Sequence, residues 1–156
     1  MQLCKKIFTM AIEEGIILKH PFRGFSMSLK EIQPTFLSLR EIGRLRNVQL
    51  GSKRLILVRD LFLFACFTGL AYSDIKNLQY RHLVDDGDQM WIRITRKKTG
   101  VIAEIPFIHD SRILLDKYWN AQYLPESHVF PILSNQKMNA YLKEIATVAK
   151  VNERLT

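Results

Sequence analysis

Arg93, Arg96, Lys97 and Lys98 lie within six residues of one another, and Thr99-Gly100 follows them directly. The runs on either side read as strands. Met90, Ile92 and Ile94 alternate with Trp91, Arg93 and Thr95, and Ile102, Ala103, Glu104, Ile105 and Pro106 form the second run. Thr99-Gly100 supplies the turn chemistry, so the segment predicts a β-hairpin with a cationic tip. Such a tip suits contact with a nucleic-acid backbone. The same lysines can equally serve only to keep an edge strand from pairing with other chains.

About twenty residues earlier the chain reads Thr68-Gly-Leu-Ala-Tyr-Ser-Asp-Ile-Lys-Asn-Leu78. From Leu55 to Phe67 every residue is apolar except Arg59 and Asp60, which predicts a helix surrounded by protein. Gly69 can take the left-handed conformation that ends it. Ser73 is placed to cap a short following helix, with Asp74 in its first turn, where negative charge suits the helix dipole. By itself this is also what an ordinary core helix and a tight turn look like.

The remaining elements must hold these two features. Leu3, Ile7, Met10 and Ala11 share one helical face that would stop at Gly15. Ile16 to Leu29 reads as irregular chain, and Ile32-Gln33-Pro34-Thr35 as extended linker. Ser38-Leu39-Arg40-Glu41 is a capping box that predicts a helix from Leu39 to about Asn47, with Gly43 a local weakness inside it. A polar loop at Asp85-Asp86-Gly87-Asp88 precedes the hairpin. Asp110 or Ser111 can cap a helix carrying Ile113, Leu114, Tyr118 and Trp119, and His128-Val129-Phe130 reads as extended. Met138, Tyr141, Leu142, Ile145, Val148 and Ala149 form the stripe of a last helix. The fold class expected is α+β, mainly helical, with a small antiparallel sheet packed at one edge.

The 156 residues suit one domain, or one domain and part of another. Lys and Arg number 23 against 15 Asp and Glu, a net charge of +8 that favours a polyanionic partner such as DNA or RNA. The apolar run from Leu61 to Phe67 is far shorter than the about 20 residues a bilayer crossing needs. The first residues lack a secretory core and cleavage site. Cys4 and Cys66 lie in apolar helical runs without metal-ligand spacing, and read as reduced core thiols of a cytosolic protein.

The Thr-Gly-Leu-x-x-Ser-Asp box, followed by Lys-Thr-Gly in a hairpin, resembles the tyrosine recombinases of the phage-integrase family, and the mix is similar to integrases of Bacteroides mobile elements. The resemblance implies that residues 1–18 are the last helix of the core-binding domain, 19–35 a linker, and 36–156 the first two-thirds of the catalytic domain. It implies a bacterial cytoplasmic, nucleoid-associated protein that cuts and rejoins duplex DNA through a phosphotyrosyl link, without metal or nucleotide. The intact protein would work as a tetramer on DNA, and this shorter chain as a monomer.

In that family a tyrosine attacks the phosphodiester, two arginines brace its oxygens, and a hairpin lysine protonates the leaving 5′ oxygen. Histidines, or a tryptophan, complete the set. Lys98 matches the lysine, and Lys97 is the fallback, because a one-residue change of register would exchange their directions. Asp74 matches the acidic residue that supports the arginines. Arg93, Arg96 and Lys97 are the expected DNA contacts. The chain departs from the pattern at Ala71, where the first arginine belongs, and Arg59, Arg81 or Arg96 are the candidates to replace it. The His-x-x-Arg box and the nucleophile are expected beyond residue 156, so the chain reads as a truncated recombinase, inactive alone. Tyr141 reads as core, Tyr118 and Tyr123 have no nucleophile motif around them, and His109 reads as a turn residue. The competing readings are a non-catalytic, helix-turn-helix-like DNA-binding module, against which the apolar first helix argues, and a protein-interaction remnant.

Overall fold

The computed structural model describes residues 2–22, 24, 36–131 and 133–151. The chain divides into two compact units, Met1–Pro34 and Thr35–Thr156. The predicted linker around Ile32–Thr35 lies outside the described residues, as does Asn152–Thr156.

In the first unit α1 spans Gln2–Glu13. It ends where Gly15 adopts φ +71° and the Ile16 and Ile17 N–H groups turn back to the Ala11 carbonyl. Leu3, Ile7 and Met10 on its apolar face are exposed. Phe8, His20 and Phe22 form a small ring cluster, with centroids 5.5–6.3 Å apart.

In the second unit α2 runs Leu39–Asn47 and α3 Lys53–Thr68. The short α4 is Tyr72–Lys76, and a turn of 3₁₀ helix follows at Tyr80–His82. Strands β1 (Leu83–Asp85), β2 (Met90–Thr95) and β3 (Ile102–Pro106) form one antiparallel sheet in the order β1-β2-β3. Helices α5 (His109–Asp116) and α6 (Asn135–Val148) complete the unit. The α+β architecture is therefore mainly helical with a small antiparallel sheet, as the hydrophobic periods predict. The box at Ser38 forms as read: its Oγ accepts the Glu41 N–H, and the Glu41 carboxylate accepts the Ser38 N–H at 2.8 Å.

α3 is the centre of the core. Leu55, Val58, Leu61, Leu63 and Phe64 are buried along it. The Phe64 ring meets Phe130 edge-on at 4.9 Å and Phe107 at 6.2 Å. Burying a side chain of this size contributes about 1.5–3 kcal/mol. Met138, Leu142 and Ile145 of α6 join the same cluster, as do Ile92 and Ile94 of β2.

Several expectations are corrected. Ser73 does not cap α4: Ala71 holds the cap position with no side-chain hydrogen bond, and Ser73 lies inside the first turn. α5 is capped by neither Asp110 nor a free Ser111. Ile108 precedes it, Ser111 Oγ accepts the Ile108 N–H at 3.1 Å, and the helix ends before Tyr118 and Trp119. Asp85 belongs to β1, a strand too short to show a period of two. Both cysteines are exposed, because they fall on the uncovered sides of α1 and α3. Partial burial still pushes the Cys66 thiol above its ordinary pKa. Val148 is 51% exposed and stands off the buried stripe of α6, which is Met138, Leu142, Ile145 and Ala146.

Candidate nucleic-acid interface

The box and the hairpin meet in space. α3 ends because Gly69 takes φ +65°, ψ +15° and returns its N–H to the Ala65 carbonyl. Thr68 Oγ1 donates to Phe64 O at 2.7 Å and accepts the Leu70 N–H at 3.4 Å, and Leu70 is then buried. The reversal brings α4 back with Asp74 pointing inward at 2% exposure. Its Oδ1 accepts the Lys97 backbone N–H at 3.0 Å. A buried carboxylate needs such donors, and a charge-assisted bond of this kind is stronger than a neutral one.

The hairpin tip is a four-residue loop, 97–100, between Arg96 and Val101. The Arg96 N–H donates to Val101 O and the Gly100 N–H to Arg96 O, each at 2.8 Å, with Gly100 at φ +71°. Arg96 Nη1 donates to Gly69 O at 3.3 Å. Two contacts therefore tie the tip to the box: Asp74 to the Lys97 backbone and Arg96 to the end of α3.

Lys97 lines a basin of about 600 Å³ together with Asn77, Gln79, Arg81, His82 and His128, and Lys98 is not among its lining. Both lysines are exposed, whereas Arg96 is half-buried. Arg93 stands opposite Glu104 in the sheet register and pairs with it, Nε to Oε1 at 2.8 Å, both side chains about half exposed. An exposed pair of this kind is worth about 0–1 kcal/mol, so Arg93 can be released to another anion cheaply. Ala71 is exposed on the same turn.

Among the three arginine candidates, Arg59 is committed elsewhere. Its guanidinium, 13% exposed, holds Asp60 at 2.9 Å. Lys117 Nζ and Tyr118 OH reach the same carboxylate, each at 3.2 Å. This cluster ties α3 to the segment after α5, and sequence reasoning missed it. The available signal was an aspartate inside an apolar helix, which cannot be buried unpaired. Its partners lie 57 and 58 residues further on, so nothing local named them.

The chain's five tyrosines are all accounted for. Tyr72 OH donates to Leu133 O, and Tyr80 OH to Tyr118 O at 3.1 Å. Burial and the Asp60 charge push the Tyr118 phenol far above its ordinary range, which opposes the phenolate a nucleophile needs. Tyr123 packs edge-on against Tyr80, and Arg54 lies 5.1 Å over the Tyr141 ring. His109 is the first residue of α5, not a turn residue, and is exposed. His128 pairs with Gln79 in an isolated bridge. Among the described residues no cluster of His, Cys, Asp or Glu is placed to hold a metal, and no helix is long and apolar enough to cross a membrane. α4 has only five residues, with Asp74 and Ile75 buried, so α3 and α4 do not present a recognition helix as a helix-turn-helix does.

A mainly helical domain with this three-stranded antiparallel sheet is the fold of tyrosine-recombinase catalytic domains. The chain superposes on λ integrase (residues 75–356) bound to DNA with a TM-score of 0.73 and 20% identity, covering 95% of this chain and 54% of that one. For the λ integrase tetramer bound to a Holliday junction the TM-score is 0.69, with 20% identity, 96% of this chain and 46% of that one. For XerH site-specific recombinase bound to its difH substrate the values are 0.57, 14%, 97% and 48%. At these identities the likeness is one of fold, and the chain spans about half the length of the recombinases it matches. No protein-family model matches the sequence, and no curated protein does.

Proposed function

We propose that this chain is part of a site-specific tyrosine recombinase of a bacterial mobile element and that its hairpin face binds duplex DNA at the strand to be cut. The observation that carries the reading is the bond from the Lys97 N–H to the buried Asp74 carboxylate, which clasps the cationic hairpin to the Thr68–Leu78 box. The shared fold with DNA-bound recombinases supports it.

In this reading Lys98 is the general acid. It is exposed on the tip and free of ion pairs among the described residues, so its ammonium can approach the leaving 5′ oxygen. General-acid assistance typically contributes about 10²–10⁴-fold. Asp74 is a positioning residue: it acts on the tip's backbone, not on substrate. Ala71 leaves the usual arginine position empty of charge, and we assign its work to Arg96. Arg96 is half-buried, already hydrogen-bonded to the carbonyl of Gly69 beside the box, and carries no carboxylate partner among the described residues. Arg93 and Lys97 add backbone contacts. The remaining catalytic groups, the nucleophile included, belong to the rest of the intact recombinase, which would work in the cytoplasm as one subunit of a tetramer on DNA.

The test is Lys98→Ala in the intact recombinase. Cleavage should slow while duplex affinity stays nearly unchanged. A 5′-phosphorothiolate substrate, whose leaving sulfur needs no proton, should restore the rate. A variant that gains nothing on that substrate removes Lys98 from the role and passes it to Lys97.

A further inference from the structure

We infer that the basin beneath the hairpin is a second phosphate site, taking a backbone phosphate of the same duplex away from the one that is cut. The inference rests on the DNA reading above and adds Arg81, His82 and His128 to the residues that reading uses. The basin holds about 600 Å³, within the range of about 300–1,000 Å³ typical of ligand sites, and so admits a sugar-phosphate step and not only a bare ion. Its cations come from three elements: Arg81 from the 3₁₀ turn, Arg93 from β2 and Lys97 from the tip.

The acids present leave Arg81 and Lys97 unneutralised. Asp74 is buried and its Oδ1 is occupied by the Lys97 N–H. Glu104 pairs with Arg93 alone. Arg81 and Lys97 have no carboxylate within ion-pair distance among the described residues, unlike Arg46, Arg59, Arg112 and Lys117. Neutral donors complete the lining. His82 Nδ1 accepts the Gln79 N–H at 3.1 Å, so the proton of its neutral ring sits on Nε2 as a donor, and His128 also lines the basin.

Two features favour nucleic acid over an acidic peptide. Lys97 belongs both to the basin and to the tip, so one backbone can run across both. The apolar lining is only Ile94 and Ile102, which offers no pocket row for peptide side chains.

The experiment measures duplex affinity of the 156-residue chain by fluorescence anisotropy over a salt series. It compares the unaltered chain with Arg81→Gln, Lys97→Gln and Lys143→Gln, the last an exposed control on α6. Arg81 is exposed and makes no side-chain hydrogen bond among the described residues, so its replacement leaves the fold intact; matching circular dichroism checks this. Arg81→Gln and Lys97→Gln should each weaken binding equally for unrelated sequences and reduce the salt slope by about 0.9, the loss of one phosphate contact. Lys143→Gln should leave it unchanged. If the unaltered chain binds with a steep slope and Arg81→Gln keeps it, the basin takes no phosphate and the DNA reading stands without it. If the unaltered chain shows no salt-dependent binding, the DNA reading itself fails. Competition by a polyglutamate peptide as effective as duplex would overturn the choice of nucleic acid.

Discussion

His82 makes a stability prediction at the scale of one side chain. Burial, and secondarily the Arg81 charge, hold its pKa below the ordinary 6.5. Its Nδ1 accepts the Gln79 N–H, which only the neutral ring can do. The unfolded chain therefore takes up the proton more readily than the folded one. The contribution is fully present above about pH 6.5 and is lost as pH falls through the folded pKa. Urea melts between about pH 8 and pH 5 should show declining stability, and His82→Asn, whose Oδ1 accepts the same N–H without titrating, should flatten that decline. An unchanged slope in His82→Asn would place the sensitivity elsewhere. The sequence showed Asp74 and the lysines as separate features, because each carries a local signal. It gave no sign that Asp74 would grip the Lys97 backbone, since that bond depends on how α4 returns against the sheet. Cys66 misled for a related reason: an apolar neighbourhood in sequence does not say which side of a helix is covered.

At the scale of elements, two glycines should respond in opposite directions to the same substitution. Gly69 ends α3 at φ +65°, and an added Cβ would meet no atom within 4 Å, so only backbone strain opposes it. Gly69→Ala should destabilise by about 1–2 kcal/mol, the cost of a left-handed residue. Gly43 is inside α2 and its added Cβ is equally free. Gly43→Ala should stabilise by about 0.5–1 kcal/mol. Chemical denaturation measures both, and a Gly69→Ala chain no less stable than the parent would mean that the α3–α4 reversal does not depend on the left-handed residue. Most elements were legible because their signals are local: the Ser38 box, the apolar run of α3, and the alternation of β2 all formed where the residues predict. β1 escaped because three residues cannot display a period, and because it exists only through its pairing with β2. The start of α5 was misplaced because Ser111 acts from the third helical position, as the reciprocal partner of Ile108, and not as the cap itself.

At the scale of the whole molecule each of the five tyrosines is engaged away from the hairpin tip. Tyr72, Tyr80 and Tyr118 are hydrogen-bonded elsewhere, Tyr141 packs beneath Arg54, and Tyr123 joins an aromatic cluster with Tyr80. The 156-residue chain should thus form no covalent adduct with a nicked suicide substrate, even where it binds. Catalytic groups act as a unit, so Ala71→Arg should not rescue it. A protein-linked DNA band surviving denaturing electrophoresis and mapping to any of these tyrosines would overturn this. The central claim, that the hairpin face is built for the DNA backbone, is tested most directly by the salt dependence of duplex binding by this chain. The charge of +8 and the clasped cationic tip predict that log K falls linearly with log salt, at about −0.9 per neutralised phosphate for a few phosphates, and alike for unrelated sequences. An affinity that does not change between low and physiological salt would contradict the account.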